Sequence, residues 1–166
     1  LIARRLECPK LLIPETGAGL SAYGAMISDL TSEYRAIFFT TSEEWDQEGV
    51  NGILEELENR CQEFVKGPGA GSINYNIEFG VEARYASQVW EIDVPLRNKR
   101  FGTTYNIDSL VEDFHNTHQE IFAINDPDSI IEMVCWTAIV NCSVQSDVTQ
   151  IEVATKTTKD IGGTRL

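Results

Sequence analysis

Arg84-Tyr85-x-x-Gln88 joins a planar fork of donors, a phenol and an amide within five residues, a set suited to fixed hydrogen bonding. Arg84, Tyr85 and Gln88 could therefore line a substrate or a subunit interface. The favoured reading is a corner lock, with Arg84 bonding backbone carbonyls at a turn between two strands. His115-x-x-His118 is the second candidate. Two imidazoles three apart on a helix share a face in part, and could share a metal with Glu112 or Glu120. However, His118 falls on the apolar stripe of its helix, where a hydrogen-bonded core histidine is the expectation and no metal is required. Gly17-Ala18-Gly19 before a helix suits a phosphate-binding turn. It lacks the Lys-Ser/Thr of a phosphate loop and the third glycine of a dinucleotide fingerprint, so it reads as a structural turn. No nucleophile elbow, Cys-His-Asp set or isolated carboxylate pair is legible, and no catalytic residue is assigned.

The elements that must position these residues follow from periodicity. Leu20, Tyr23, Ile27, Leu30, Tyr34, Ile37 and Phe38 fit one helical stripe, ended by Thr40-Thr41-Ser42. Ser42 or Thr41 caps a second helix carrying Val50, Ile53, Leu54, Leu57, Cys61 and Phe64. Gly49 and Gly52 weaken its first turns, and Gly67-Pro68-Gly69-Ala70-Gly71 ends it. This reading predicts a helical hairpin. The period then becomes two: Ile73, Tyr75, Ile77, Phe79 and Val81 face one side of a strand. Trp90, Ile92 and Val94 do the same in a strand that pairs antiparallel with it and ends at Pro95. Arg97-Asn98-Lys99-Arg100 is a basic loop. Asn106 or Asp108 caps a third helix with Ile107, Leu110, Val111, Phe114, His118 and Ile121 inward, ended by Asn125-Asp126-Pro127-Asp128. Residues 130–144 are the best candidate for a central strand. The predicted class is α+β: a helical hairpin and a third helix packed on a small antiparallel sheet. A strand-like Leu11-Leu12-Ile13 precedes it, and a short strand at Ile151-Glu152-Val153 follows.

Composition bounds the function. The chain has 166 residues, enough for one domain with a real core, and carries a formal charge of −13. That charge argues against nucleic acid and anionic membranes, since both need basic surface. No apolar run approaches the roughly 20 residues that span a bilayer. Cys8, Cys61, Cys135 and Cys142 form no Cys-x-x-Cys pair, so reduced thiols are expected and a zinc site is not.

Three runs in the same order resemble one family. Leu12-Ile13-Pro14-Glu15-Thr16-Gly17-Ala18-Gly19-Leu20-Ser21-Ala22-Tyr23-Gly24 is similar to the Pro…Gly-x-Leu-Ser-Ala-x-Gly run that leaves the ATPase core of the hydantoinase A/oxoprolinase large subunits. Arg84-Tyr85-x-x-Gln88, followed by Val94-Pro95-Leu96, resembles their C-terminal region. Phe114-His115-x-x-His118 resembles their Phe-His-x-x-His helix. Two positions depart from the pattern: Ser87 stands where glycine is frequent, and Phe122-Ala123 replaces Tyr-Gly. The resemblance implies a piece of a longer cytoplasmic polypeptide. Residues 1–19 would connect to an upstream ATPase core, 20–146 would form the α+β C-terminal domain, and 147–166 a polar tail or linker. It implies an enzyme that uses ATP to activate a cyclic amide or imide carbonyl by phosphorylation, so that water opens the ring. Acetone and acetophenone carboxylases share the subunit type and activate a ketone instead. ATP and Mg would sit in the full-length enzyme, with no cofactor in this fragment. The partners implied are the upstream core and a hydantoinase B-type subunit, with self-association of the cut fragment. A non-enzymatic interaction module is the alternative.

Overall fold

The computed structural model describes residues 2–9 and 17–144, so the expected strands at 11–13 and 151–153, and the tail at 147–166, lie outside the described residues. A helical turn, α1 (Ile2–Arg5), and a 3-10 turn (Gly17–Gly19) precede α2 (Leu20–Ile27). Then come β1 (Leu30–Thr41), α3 (Gln47–Lys66), β2 (Asn74–Tyr85), β3 (Ile92–Pro95), α4 (Ile107–Phe122) and β4 (Ile131–Ser143). The four strands form one antiparallel sheet in the order β1-β4-β2-β3. The α+β class holds: among the described residues, three helices of eight residues or more lie beside a four-stranded sheet.

The helical hairpin does not form. The stripe read as one long helix breaks at Ser28-Asp29, and its second half is the edge strand β1. Leu30, Tyr34 and Phe38 are four apart, a spacing that satisfies a helix face and a strand face equally. Long-range pairing decides between them. Leu30 through Ile37 register against Cys142 through Cys135, and a bulge before Thr40 shifts the remainder. The inward set is therefore Tyr34, Ala36, Phe38 and Thr40, while Ile37 is 84% exposed.

β4 is hydrogen-bonded on both sides, as its apolar run predicts. One face of the sheet carries Ile77, Phe79, Val81, Ala83 and Tyr85 of β2 beside Ile131, Met133, Trp136, Ala138 and Val140 of β4. α3 lies over this face and buries Val50, Leu54, Leu57 and Cys61 completely. Its cap is Asp46, whose carboxylate accepts from Gly49 N–H at 2.9 Å. Thr41 instead accepts from Glu44 N–H, and Ser42 accepts from Ile131 N–H at the start of β4. Gly49 is no defect of the helix: a Cβ there would lie 2.5 Å from the Phe38 ring, so glycine lets β1 and α3 approach. Burial pushes the Cys61 thiol up to about 11, which keeps it an inert core group. Cys135 and Cys142 are also buried, Cys8 is exposed, and the four are unpaired.

The opposite face of the sheet is open and charged. Arg35 bridges Glu33 and Glu82 across the strands, beside a hollow of about 370 Å³ that Glu78, Asp93 and Thr137 help to line.

Candidate functional site

α4 reaches its place through the basic loop. Lys99 and Arg100 both bind Glu58 of α3, at 3.1 and 2.8 Å, while Arg97 pairs with Asp113 and Glu112 of α4. The loop thus ties the two sheet-packed helices together. The Glu58 carboxyl opposes its own burial, yet its pKa falls below the usual range because the two cations outweigh that cost. Asn106 caps α4 by accepting from Ser109 N–H at 3.1 Å. Ile107, Leu110, Val111 and Phe114 turn inward, as the stripe predicts, but Ile121 is 54% exposed.

The two motifs, thirty residues apart, meet here. Tyr85 is 2% exposed, and its ring meets Phe114 edge-on with centroids 4.9 Å apart. Its hydroxyl accepts from Asp126 N–H at 2.8 Å and lies 2.8 Å from His115 Nδ1. His118 is 2% exposed. Its Nδ1 donates to Ile124 O at 2.6 Å, leaving Nε2 to accept from the Gln88 amide at 3.3 Å. Partial burial is the main reason that the His115 pKa lies below its ordinary value; nearby His118 adds to this and Asp126 opposes it.

Arg84 closes the other side. Nη1 donates to Val89 O at 3.3 Å and to Glu91 at 2.9 Å, and Nε donates to Glu132 at 2.9 Å. One backbone carbonyl and two carboxylates therefore hold the turn that leaves β2. The expected strand from Trp90 begins only at Ile92, because β3 pairs with β2 from Gly80 to Ala83 alone. Arg84 and Gln88 draw residues 88–91 off the sheet, and Trp90, expected inside, is 81% exposed.

All five singled-out residues thus gather at one end of the domain. Their partners Glu91, Asp126 and Glu132, with the carbonyls of Val89 and Ile124, carry no motif, and only the fold brings them in. The helix ends in a left-handed Ala123, φ 59°, in the position where the family pattern has glycine. Both nitrogens of His118 and one of His115 are engaged, so a metal shared by this pair would displace hydrogen bonds. Among the described residues, no group of three or more His, Cys, Asp or Glu side chains could hold a metal ion. Gly17–Gly19 is an exposed 3-10 turn, and no side chain caps the helix that follows it. No helix among the described residues is long and apolar enough to cross a membrane.

No family model matches the chain. Over 136 residues, 80% of its length, it is 28% identical to the caprolactamase alpha subunit of Pseudomonas jessenii, covering 19% of that protein. An uncharacterized protein of Methanocaldococcus jannaschii is 23% identical over 133 residues, again 80% of this chain, and 18% of it is covered. The crystal structure of the ATP-dependent caprolactamase from Pseudomonas jessenii superposes on 78% of this chain and 19% of that one, with a TM-score of 0.67 and 26% identity. A nucleotide-free acetone carboxylase shares the fold, with a TM-score of 0.57 and 15% identity over 80% of this chain and 21% of that one. The chain spans about a fifth of the length of the curated relatives it matches. The likeness to the caprolactamase alpha subunit, in sequence and in fold over about four fifths of this chain, agrees with the family that the three motifs resemble.

Proposed function

We propose that this chain is the C-terminal structural and subunit-contact domain of an ATP-dependent enzyme that opens a cyclic amide or imide, in the manner of hydantoinases and oxoprolinases. The observation that supports this most is the likeness to caprolactamase in both sequence and fold, at 28% identity and a TM-score of 0.67. A lactam, a hydantoin and an oxoproline present the same unreactive ring amide, whose carbonyl must be activated before water can open it. ATP and Mg would be held by the upstream core. In this reading Arg84, Tyr85, Gln88, His115 and His118 face an interface or the substrate only as a set. The hydrogen bonds of Tyr85 with His115, of Gln88 with His118 and of Arg84 with Val89 O, Glu91 and Glu132 make them a positioning framework, and none is assigned a bond-breaking role.

The carboxylase alternative rests on a fold likeness at 15% identity, which carries the architecture and no chemistry. The test uses the complete polypeptide that contains this chain, assembled with a hydantoinase B-type subunit. ADP release that depends on a lactam, hydantoin or oxoproline is the expected result, with no turnover by the 166-residue chain alone. ADP release dependent on bicarbonate plus a ketone would replace the hydrolase with the carboxylase. ATP turnover by the isolated chain would overturn the domain assignment.

A further inference from the structure

The open face of the sheet carries, we propose, a site for a primary ammonium group on an alkyl stem, seated in the hollow over Gly80. Gly80 lies in the middle of β2, directly across from Thr137 of β4 and Pro95 of β3. A glycine inside a strand weakens it, and marks a place where another group approaches the backbone. A Cβ at Gly80 would stand 2.9 Å from Thr137 Oγ1 and 3.4 Å from Val94 O. The missing side chain therefore leaves a notch framed by two oxygens. Thr137 is only 9% exposed and lines the hollow, and its hydroxyl has no hydrogen-bond partner among the described residues. A polar group held this far from water is ordinarily paired, and a donor arriving in the notch supplies the partner that Thr137 lacks.

The surrounding charges select the donor. Glu33, Glu78 and Asp93 line the hollow, and Glu82 stands beside it, across from Asp93. The one cation in the lining, Arg35, is already paired with Glu33 and Glu82. Glu78 accepts only from the Asn76 amide, and Asp93 has no ion-pair partner among the described residues. An anion would be repelled here, and a neutral donor would leave Glu78 and Asp93 uncompensated. An ammonium carries three donors on one compact atom, which suits a notch left by one missing side chain, whereas a guanidinium is a broad plane. Pro95 and Ile139 supply apolar walls on which an alkyl stem lies while its head stays among the oxygens. A free alkylamine and a lysine side chain of the longer polypeptide present the same group, and the site's chemistry is common to both. Nothing in it depends on the reaction proposed above.

The test uses the complete polypeptide that contains this chain, with the Ile139 methyl signals followed by NMR as n-butylammonium chloride is added. A saturable shift is expected, absent with n-butanol and with sodium chloride at the same ionic strength. Thr137→Val removes the hydroxyl at nearly constant shape, and Gly80→Ala fills the notch. Each should weaken binding by about fivefold or more, with an unchanged circular dichroism spectrum. Glu78→Gln with Asp93→Asn should weaken it less and flatten its dependence on salt. Carbodiimide treatment, which joins a carboxylate to an adjacent amine, distinguishes the sources. Coupling of Glu78 or Asp93 to a lysine elsewhere in the polypeptide assigns the group to the chain itself, and butylammonium should then shift Ile139 only after that lysine is replaced by glutamine. Binding of the free amine without such coupling assigns the site to a small-molecule amine. Either result upholds the ammonium site. Neither shift nor coupling overturns it, as does a shift that n-butanol reproduces, or one that survives unweakened in both Thr137→Val and Gly80→Ala.

Discussion

The two helices packed on the sheet are held in opposite ways. α3 lies on β1 and β4 through Val50, Leu54, Leu57 and Cys61, all wholly buried and all apolar. α4 buries Leu110 and Phe114, then at its far end substitutes His118, and beyond it runs the chain of bonds through Gln88, Tyr85, His115 and Asp126. Apolar packing resists separation but tolerates small slips. A hydrogen-bond network tolerates neither a missing partner nor a displaced one. The difference teaches what each end is for. α3 supplies the free energy of folding, whereas the α4 end fixes the position of a loop and of the exposed Trp90 upon it.

Breaking the apolar side should have the largest effect. Leu54→Ala should cost about 2–5 kcal/mol, because it empties a site surrounded by sheet and helix. Urea unfolding checks this, and a loss under about 1 kcal/mol would show that α3 is not the principal anchor. On the polar side, Tyr85→Phe keeps the ring against Phe114 but leaves Asp126 N–H and His115 Nδ1 without their partner. The expected cost is smaller, about 1–3 kcal/mol. It should appear with faster amide exchange at Asp126, the one proton that the variant sets free.

Ala123 sharpens the comparison in the opposite direction. Its φ of 59° is costly for a residue with a Cβ, so Ala123→Gly should raise stability by up to about 1 kcal/mol. A loss on melting would show that the left-handed cap is not strained. His115 makes the polar end pH-sensitive. Its pKa in the folded chain lies below the ordinary 6.5, so the unfolded chain takes up the proton first. Stability from this group is therefore full above about pH 6.5 and falls as the pH drops from there towards the folded value. Melts at pH 7.5 and 5.5 should show a larger drop for the unaltered chain than for His115→Gln. An equal drop would remove His115 from the network's energetics. The smallest effect is expected at the most conspicuous residue. Trp90→Ala should change stability by no more than about 0.5 kcal/mol in urea, because the side chain is 81% exposed. Strand periodicity alone predicts the cost of a large core truncation there, so the experiment separates the two registers.

Much of this arrangement was legible in residue order. The period-two run from Ile77 to Val81, the helical stripe from Val50 to Phe64, the Asn106 cap and the apolar length of β4 each declare themselves locally, because each buries one face of a regular element. The three family runs also stand in the sequence, and the likeness to caprolactamase in sequence and fold agrees with them. What the sequence by itself determined, then, was the α+β class, most of the core and the residue types of the polar cluster. Only the tertiary structure decided that Leu30–Thr41 is a strand, since its spacing suits either period until β4 lies beside it. Only the tertiary structure brought Tyr85 to His115 and Gln88 to His118, and turned Trp90 outward. The physical reason is the same in each case: local periodicity reports which face of an element is apolar, whereas pairing and side-chain hydrogen bonds across thirty to one hundred and more residues decide what that face meets.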